Sequence, residues 1–484
     1  MRSLDPRTPV LVGLGVAAHS APVTDLMTAA VRAAADDAGT PQLLGRVDCI
    51  AVPQGTWSLT DPARTVARRI GADSARTLRC EVGVSQQEVV SHALGLVAAG
   101  DARVVVVSGS EARAWERQGG AEEDTESRPA DEVLTRPPDF VAPIEGAAGI
   151  VWPAVVQYAL IENALGAADG QSPEHHRAAV AALWARMNAV AGANPEAAFP
   201  ARLTADEIAI PGPRNRPLAY PYNRWHSSQW TLNQSTALLI CSAGQAREAG
   251  VPADRWLFPH VALHCSSAVT LTARRHLGAW PAMGVLGRAA EQRLGRPLRD
   301  LPLTEVYSCF PAAVRVQQRE LGLDETGTPT VTGGMAFAGG PFNHFVLLAL
   351  RAVGTRLRAE PDALGVVTTV SGLLSKPGLA VWSATPPDGP PLVADLAAEA
   401  RAATAVVPVV AEPPGETRRA TVASFTVTYG GADGLEPVRT VIVADLDDGE
   451  RTAATCEDAD TARLAVADGL IGREVEVKDT TFIL

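Results

Sequence analysis

Two segments of this chain are too apolar to tolerate water on either side: Arg103–Ser108, reading RVVVVS, and Gln234–Ser242, with STALLICS at its centre. Strands of this kind are buried on both faces, which requires helices above and below a mostly parallel sheet. The surrounding sequence supplies them. Pro9–Val16, Val47–Val52 and Thr77–Glu81 read as strands, alternating with helical patterns at Asp25–Asp37, Arg64–Ile70 and Gln86–Ala99. After an irregular excursion the alternation resumes, with strands at Leu257–Cys265, Leu303–Tyr307, Leu364–Val370 and Leu379–Ser383 and helices at Ala243–Ala249, Pro281–Leu294 and Phe310–Leu321. The second half repeats the element order of the first, which points to an internal duplication of fold.

A glycine-rich stretch, TVTGGMAFAGGPFNHFV at Thr330–Val346, stands before an apolar helical run. It reads as strand end, loop and helix start. Such a loop lets a ligand approach the main chain and offers backbone N–H groups to an oxyanion or a phosphate. The plain alternative is a tight turn between core elements.

Composition excludes several classes. The net charge of −12, from 42 basic and 54 acidic residues, argues against a nucleic-acid partner. Six cysteines without paired spacing argue against disulfides or a structural metal and for a cytoplasmic protein. The amino-terminal MRSLDPRTPVLVGLGVA carries charge and proline where a leader needs an apolar core, and no apolar run reaches the ~18 residues of a membrane span. Glu122–Glu132 is rich in carboxylates and reads as a solvated, mobile loop. Arg202–Trp230 mixes Arg202, Arg214, Arg216 and Arg224 with aromatics. It is either a flap packed over the sheet or a pocket wall whose arginines meet phosphate. Two proline-rich stretches, TPPDGPP and VAEPPGE, bracket a linker region at 386–417. Beyond it, residues 418–484 alternate as short half-buried strands with one helix, which suggests a small OB-like barrel.

These residues resemble the thiolase superfamily. GGMAFAGGPFNHF is similar to its Gly-Gly-x-x-x-x-Gly-His-Pro motif, YSCF at Tyr307–Phe310 to its Asn-Glu-Ala-Phe or His-Asp-Cys-Phe motif, and TVSG at Thr369–Gly372 falls where Cys-x-Gly is expected. Val82–Ala112 resembles the nucleophile helix and the strand after it. The nearest branch is the thiolase-like proteins of type 1, which carry an additional C-terminal domain.

The resemblance implies a duplicated five-layered αβαβα fold. An N-terminal half would span 1–249, with a loop domain inserted at about 110–230, and a C-terminal half 250–385. It also implies an acyl-CoA ligand, no other cofactor, and a homodimer through the core as a candidate assembly. The catalytic set is missing: Gly83 stands at the nucleophilic cysteine, Gly340 at the histidine and Val370 at the second cysteine. Candidate reactive groups are Tyr307, His344, Cys309 and Ser85. For Cys309 the plain reading is inert packing, for Ser85 an N-cap, for Tyr307 a hydrogen-bonding core tyrosine, and for His344 a loop contact. Candidate substrate contacts are Gly339, Gly340, Asn343, Arg224 and His226. Three functional classes follow: an acyltransferase-like acyl-CoA enzyme, a retro-aldol lyase acting on a CoA thioester, and a non-catalytic acyl-CoA binder.

Overall fold

Apolar strands collect into two sheets, and the helices between and outside them supply the cover that the strands require. The computed structural model describes residues 4–484. Of the amino-terminal segment read against a leader, Met1–Ser3 lie outside the described residues. The first half contributes β1 (Pro9–Ala17), β2 (Cys49–Pro53), β3 (Arg76–Cys80), β4 (Val104–Ala112) and β5 (Glu132–Leu134). Two short strands of the insertion follow, β6 (Pro217–Ala219) and β7 (Tyr222–Asn223), and then β8 (Asn233–Ser242). The first sheet has the order β1-β8-β4-β2-β3-β5. The second half contributes β9 (Phe258–His264), β10 (Leu303–Glu305), β11 (Leu364–Ser371), β12 (Lys376–Ser383) and β13 (Leu392–Asp395), in the order β10-β11-β12-β9-β13.

The duplication is visible in this topology. With β3, β5 and the insertion strands set aside in the first half and β13 in the second, each places its strands as first, last, third, second: β1-β8-β4-β2 and β9-β12-β11-β10. In each the last strand runs antiparallel to both neighbours, so the sheets are mixed where the sequence suggested nearly parallel ones. In the second half the cause is local. Gly372, Leu373 and Leu374 take φ of 57°, 56° and 62°, a left-handed turn that joins β11 directly to β12. The helices Gln86–Ala99 and Phe345–Ala359 lie between the sheets, Val23–Asp37 covers the outer face of the first and Pro281–Leu294 that of the second.

Three expectations are corrected. The acidic loop is docked: Glu122 accepts from the N–H groups of Val23 and Thr24 at 2.7 and 3.1 Å, and Asp124 accepts from the Thr60 N–H at 2.8 Å. Glu126 pairs with Arg68. The Val23 helix has no side-chain cap of its own, so the Glu122 carboxylate satisfies its free donors and favours its positive end. The region 386–417 is not a free linker either, because β13 pairs with β9 and the helix Ala397–Ala403 packs on Pro281–Leu294. Lastly, the glycine-rich loop is preceded by no strand. Its base is held instead by the buried Glu305 at the end of β10, which accepts from the N–H groups of Val331 and Thr332 at 2.6 and 2.7 Å; burial pushes this carboxyl up to about 7.

The C-terminal segment forms β14 (Arg418–Gly430), β15 (Glu436–Leu446), β16 (Arg451–Cys456), β17 (Glu474–Lys478) and β18 (Thr481–Ile483), with the helix Ala459–Asp468 after the third strand. They close into a ring: β14 pairs with both β15 and β17, and β16 pairs with β18. β14 also reaches the insertion, pairing Thr428 with Ala219 of β6. Asn163, in the helix Val155–Ala168, donates to the Tyr220 and Phe425 carbonyls at 3.0 and 2.8 Å, and the Ser424 hydroxyl donates to the Leu160 carbonyl at 2.6 Å. The contact is buried and continuous with the main core. Asn163→Ala removes two buried hydrogen bonds, although the Tyr220 carbonyl keeps the one from the Thr426 hydroxyl at 2.8 Å, at a cost of about 1–3 kcal/mol. It should lower the single thermal transition of the whole chain. A barrel that melts separately in calorimetry, unaffected by this substitution, contradicts the shared core.

Candidate functional site

The Gln86 helix is apolar nearly all round, and it enters between the two sheets with its N-terminus at the C-terminal edge of the strands. Ser85 caps it, accepting from the Glu88 N–H at 3.2 Å, which is the plain reading of that serine. Gln86 then ties three elements together. Its Oε1 accepts from the Val346 N–H at 2.7 Å, and its side chain hydrogen-bonds the Tyr307 phenol. Tyr307 follows β10, is buried, and stacks edge-on against Phe345 with ring centroids 5.6 Å apart. Burial raises its pKa well above the ordinary tyrosine value, so the phenol keeps its proton.

Cys309 lies beside it and accepts from the Tyr158 hydroxyl. Burial pushes the thiol up to about 12, so it is neutral and no nucleophile at neutral pH. His344 is buried at the N-terminal end of the Phe345 helix, packed on Gly109, where a Cβ would come 2.2 Å from the histidine Cβ. Its Nε2 has no partner, and burial pushes its pKa down to about 3. Asn343 reaches across to the first half, donating to the Gln54 carbonyl at 2.9 Å.

The three positions of the missing set carry no reactive group. Gly83 has φ +112°, and a Cβ built there would lie 3.7 Å from the Arg136 carbonyl oxygen. Val370 is buried in β11. Gly340 departs from its expected role, because its N–H is not free: it donates to the Gln229 carbonyl at 3.0 Å, and a Cβ there would meet Ser228 at 2.8 Å. Gly339, at φ +111°, lies against Leu232 and Ala198. Arg224 and His226 do not converge. The arginine is exposed over the Trp225 ring at 5.4 Å, while His226 is buried with Nδ1 accepting from the Asn223 N–H at 3.0 Å. Arg202, Arg214 and Arg216 are exposed as well.

The segment 135–140 went unnoticed in the sequence. It crosses the start of the Gln86 helix, with Arg136 paired to the buried Glu88. At its other end Lys376, fully buried, holds Asp139 at 2.9 Å and the Pro137 carbonyl at 3.2 Å. His264 at the end of β9 stands 4.0 Å from the Glu88 carboxylate. Arg-Pro-Pro-Asp-Phe carries no periodicity, and only tertiary pairing shows what it covers.

Two duplicated halves, a shared central helix and a glycine loop on the second half give this chain a thiolase-like fold. A monomeric SCP2-thiolase-like protein type 1 from Mycobacterium smegmatis is 29% identical and aligns over 100% of both chains with a TM-score of 0.83. An Ltp2–ChsH2(DUF35) aldolase (19% identical, 78% of this chain and 98% of that one, TM-score 0.57) shares the fold. So does the dimeric peroxisomal thiolase of Saccharomyces cerevisiae (15%, 79% and 98%, 0.54). An acetyl-CoA acetyltransferase of Methanocaldococcus jannaschii is 25% identical over 141 residues, 29% of this chain and 34% of that protein, so the match spans about a third of the curated relative. No family model matches the chain. No helix among the described residues is long and apolar enough to cross a membrane.

His344 gives the site a pH signature. The unfolded chain takes a proton at this imidazole below its ordinary pKa near 6.5, whereas the folded chain refuses it until about 3. Stability therefore falls as pH drops from 6.5 toward 3. Denaturant unfolding of His344→Gln should show a shallower loss between pH 6.5 and 4 than the parent; an identical slope contradicts a buried neutral histidine.

Proposed function

We propose that this chain binds an acyl-CoA thioester in the thiolase-type cleft without forming an acyl-enzyme. The observation that carries this reading is Gly83: the position of the nucleophile has no side chain and lies against the Arg136 carbonyl. A thiolase needs a thiolate to hold the acyl group and bases to form it and the carbanion. An acyltransferase-like reaction here, of the acetyl-CoA acetyltransferase kind, has to proceed by direct transfer. The N-terminus of the Gln86 helix remains a positive seat for the thioester carbonyl, and the exposed Arg202, Arg214, Arg216 and Arg224 suit the phosphates of coenzyme A.

The retro-aldol lyase is the second reading, and Tyr307 favours it. Its phenol is held by Gln86 and keeps a proton to donate to a developing enolate. The ring of β14–β18, with a helix after its third strand, supports the OB reading of the C-terminal segment, here fused to the thiolase-like core. A homodimer through that core has to form away from the edge of β3, which β5 covers.

Mass spectrometry after incubation with acetoacetyl-CoA should find no adduct on residues 80–85, with negligible thiolysis; a stable adduct there overturns the reading. Release of free ketone or aldehyde from a hydroxyacyl thioester selects the lyase. Binding without turnover selects the non-catalytic binder.

Calorimetry separates the two ends of the ligand. Arg224→Ala should weaken CoA and acyl-CoA alike, by about 1–3 kcal/mol for a lost charge-assisted hydrogen bond, whereas Tyr307→Phe should weaken only the thioester. Equal effects of both variants on free CoA contradict this placement.

A further inference from the structure

The second half buries a positive charge that forms no ion pair among the described residues. Arg274 is 2% exposed, and its donors go to main-chain carbonyls: Nε and Nη2 to Val269 at 3.2 Å each, and Nη2 also to Leu374, in the left-handed turn between β11 and β12. Nη1 has no partner. Burial pulls the guanidinium pKa down to about 10, and Glu145, the carboxylate that opposes this, is spent elsewhere. Its Oε1 accepts from the N–H and hydroxyl of Thr272 at 2.8 and 2.9 Å, and its Oε2 from the Ala142 N–H at 3.0 Å. A buried charge left without a partner is costly, so a counter-ion on Nη1 would be stabilising.

A second unpaired donor borders the same space. Trp280 is 2% exposed, and its indole Nε1 has no partner either. Arg274 and Trp280 line one small cavity, with Ala282, Ser375, Thr404 and the exposed Arg401. Trp280 is the N-cap residue of the helix Pro281–Leu294 and gives it no side-chain hydrogen bond. Ala282 belongs to the first turn, where N–H groups are free and the helix dipole is positive.

The lining selects its occupant. No carboxylate lines the cavity, and the Ser375 and Thr404 hydroxyls donate elsewhere, to the Gly372 and Ala400 carbonyls. What is left is a set of N–H donors in a positive field, which calls for an acceptor carrying negative charge. The cavity volume of about 10 Å³ leaves room for one monatomic occupant or one water, and not for a phosphate group.

We propose that Arg274 Nη1, Trp280 Nε1 and the start of the Pro281 helix form a chloride site. The anion neutralises Arg274, and so steadies the guanidinium that holds the Leu374 carbonyl and with it the β11–β12 turn. The site stands apart from any thioester in the cleft.

Scanning calorimetry of the full chain tests it, with sodium chloride replacing sodium gluconate at constant ionic strength. An anion that binds only the folded chain raises its melting midpoint with concentration. The parent midpoint should rise with chloride, and Trp280→Phe, which keeps an aromatic ring but loses the donor, should need about tenfold more chloride for the same rise. Arg274→Gln should lose the rise altogether; if that variant does not fold, Trp280→Phe still decides, because the chloride increment is read and not the midpoint itself. Crystals soaked in bromide should show an anomalous peak beside Nη1 and Nε1. Equal parent midpoints in chloride and gluconate, or crystals without bromide there, mean that the cavity holds a water only and overturn the site. A chloride increment that Trp280→Phe leaves unchanged places the anion elsewhere and overturns it as well.

Discussion

Everything in this molecule depends on burying one helix, Gln86–Ala99, between two sheets. A helix can be apolar nearly all round only when it is enclosed, and here strands of both halves close on it. Its C-terminal end is capped by Gly100 in the left-handed region and its N-terminal end by Ser85, so neither end needs help from outside. The enclosure fixes Gln86, Gln87 and Glu88, and those three side chains organise the site. Gln86 joins Tyr307 to the Phe345 helix, Gln87 fills the gap over Gly378, and Glu88 holds Arg136 and faces His264.

The chemistry follows from what the enclosure withholds. A thiolate at the helix start would be stabilised by the helix dipole, but Gly83 leaves that position bare. The cysteines near the site, Cys80 and Cys309, are buried, and desolvation raises both thiols. Tyr307 and His344 are kept neutral by the same burial, one as a donor and the other as an unpaired imidazole. Neutral groups of this kind suit the proposed role of positioning and polarising a thioester and do not suit attack on it.

Much of this was legible in the sequence where periodicity or chemistry is local. The central helix, the apolar strands and the Pro281 helix fall where their patterns place them, and the order of strand and special loop revealed the duplication. What escaped depends on distant pairing. β5 and β13 are only three and four residues long and half-exposed, and each becomes a strand only because a neighbour's edge is open. The acidic loop reads as solvated because its partners are the free N–H groups of a helix almost a hundred residues earlier. Gly340 shows the converse, since a glycine's N–H looks available until Gln229 is found against it.

A crystal structure of the chain with a non-hydrolysable acyl-CoA thioether would test the central claim most directly. The account predicts the acyl end between the Gln86 helix start and Tyr307, beneath the segment 135–140, with the diphosphate toward Arg224 and no bond to any residue of 80–85. A ligand seated elsewhere, on the β14–β18 ring or in the groove lined by Arg299 and Arg356, with the Gln86 helix start untouched, would contradict it.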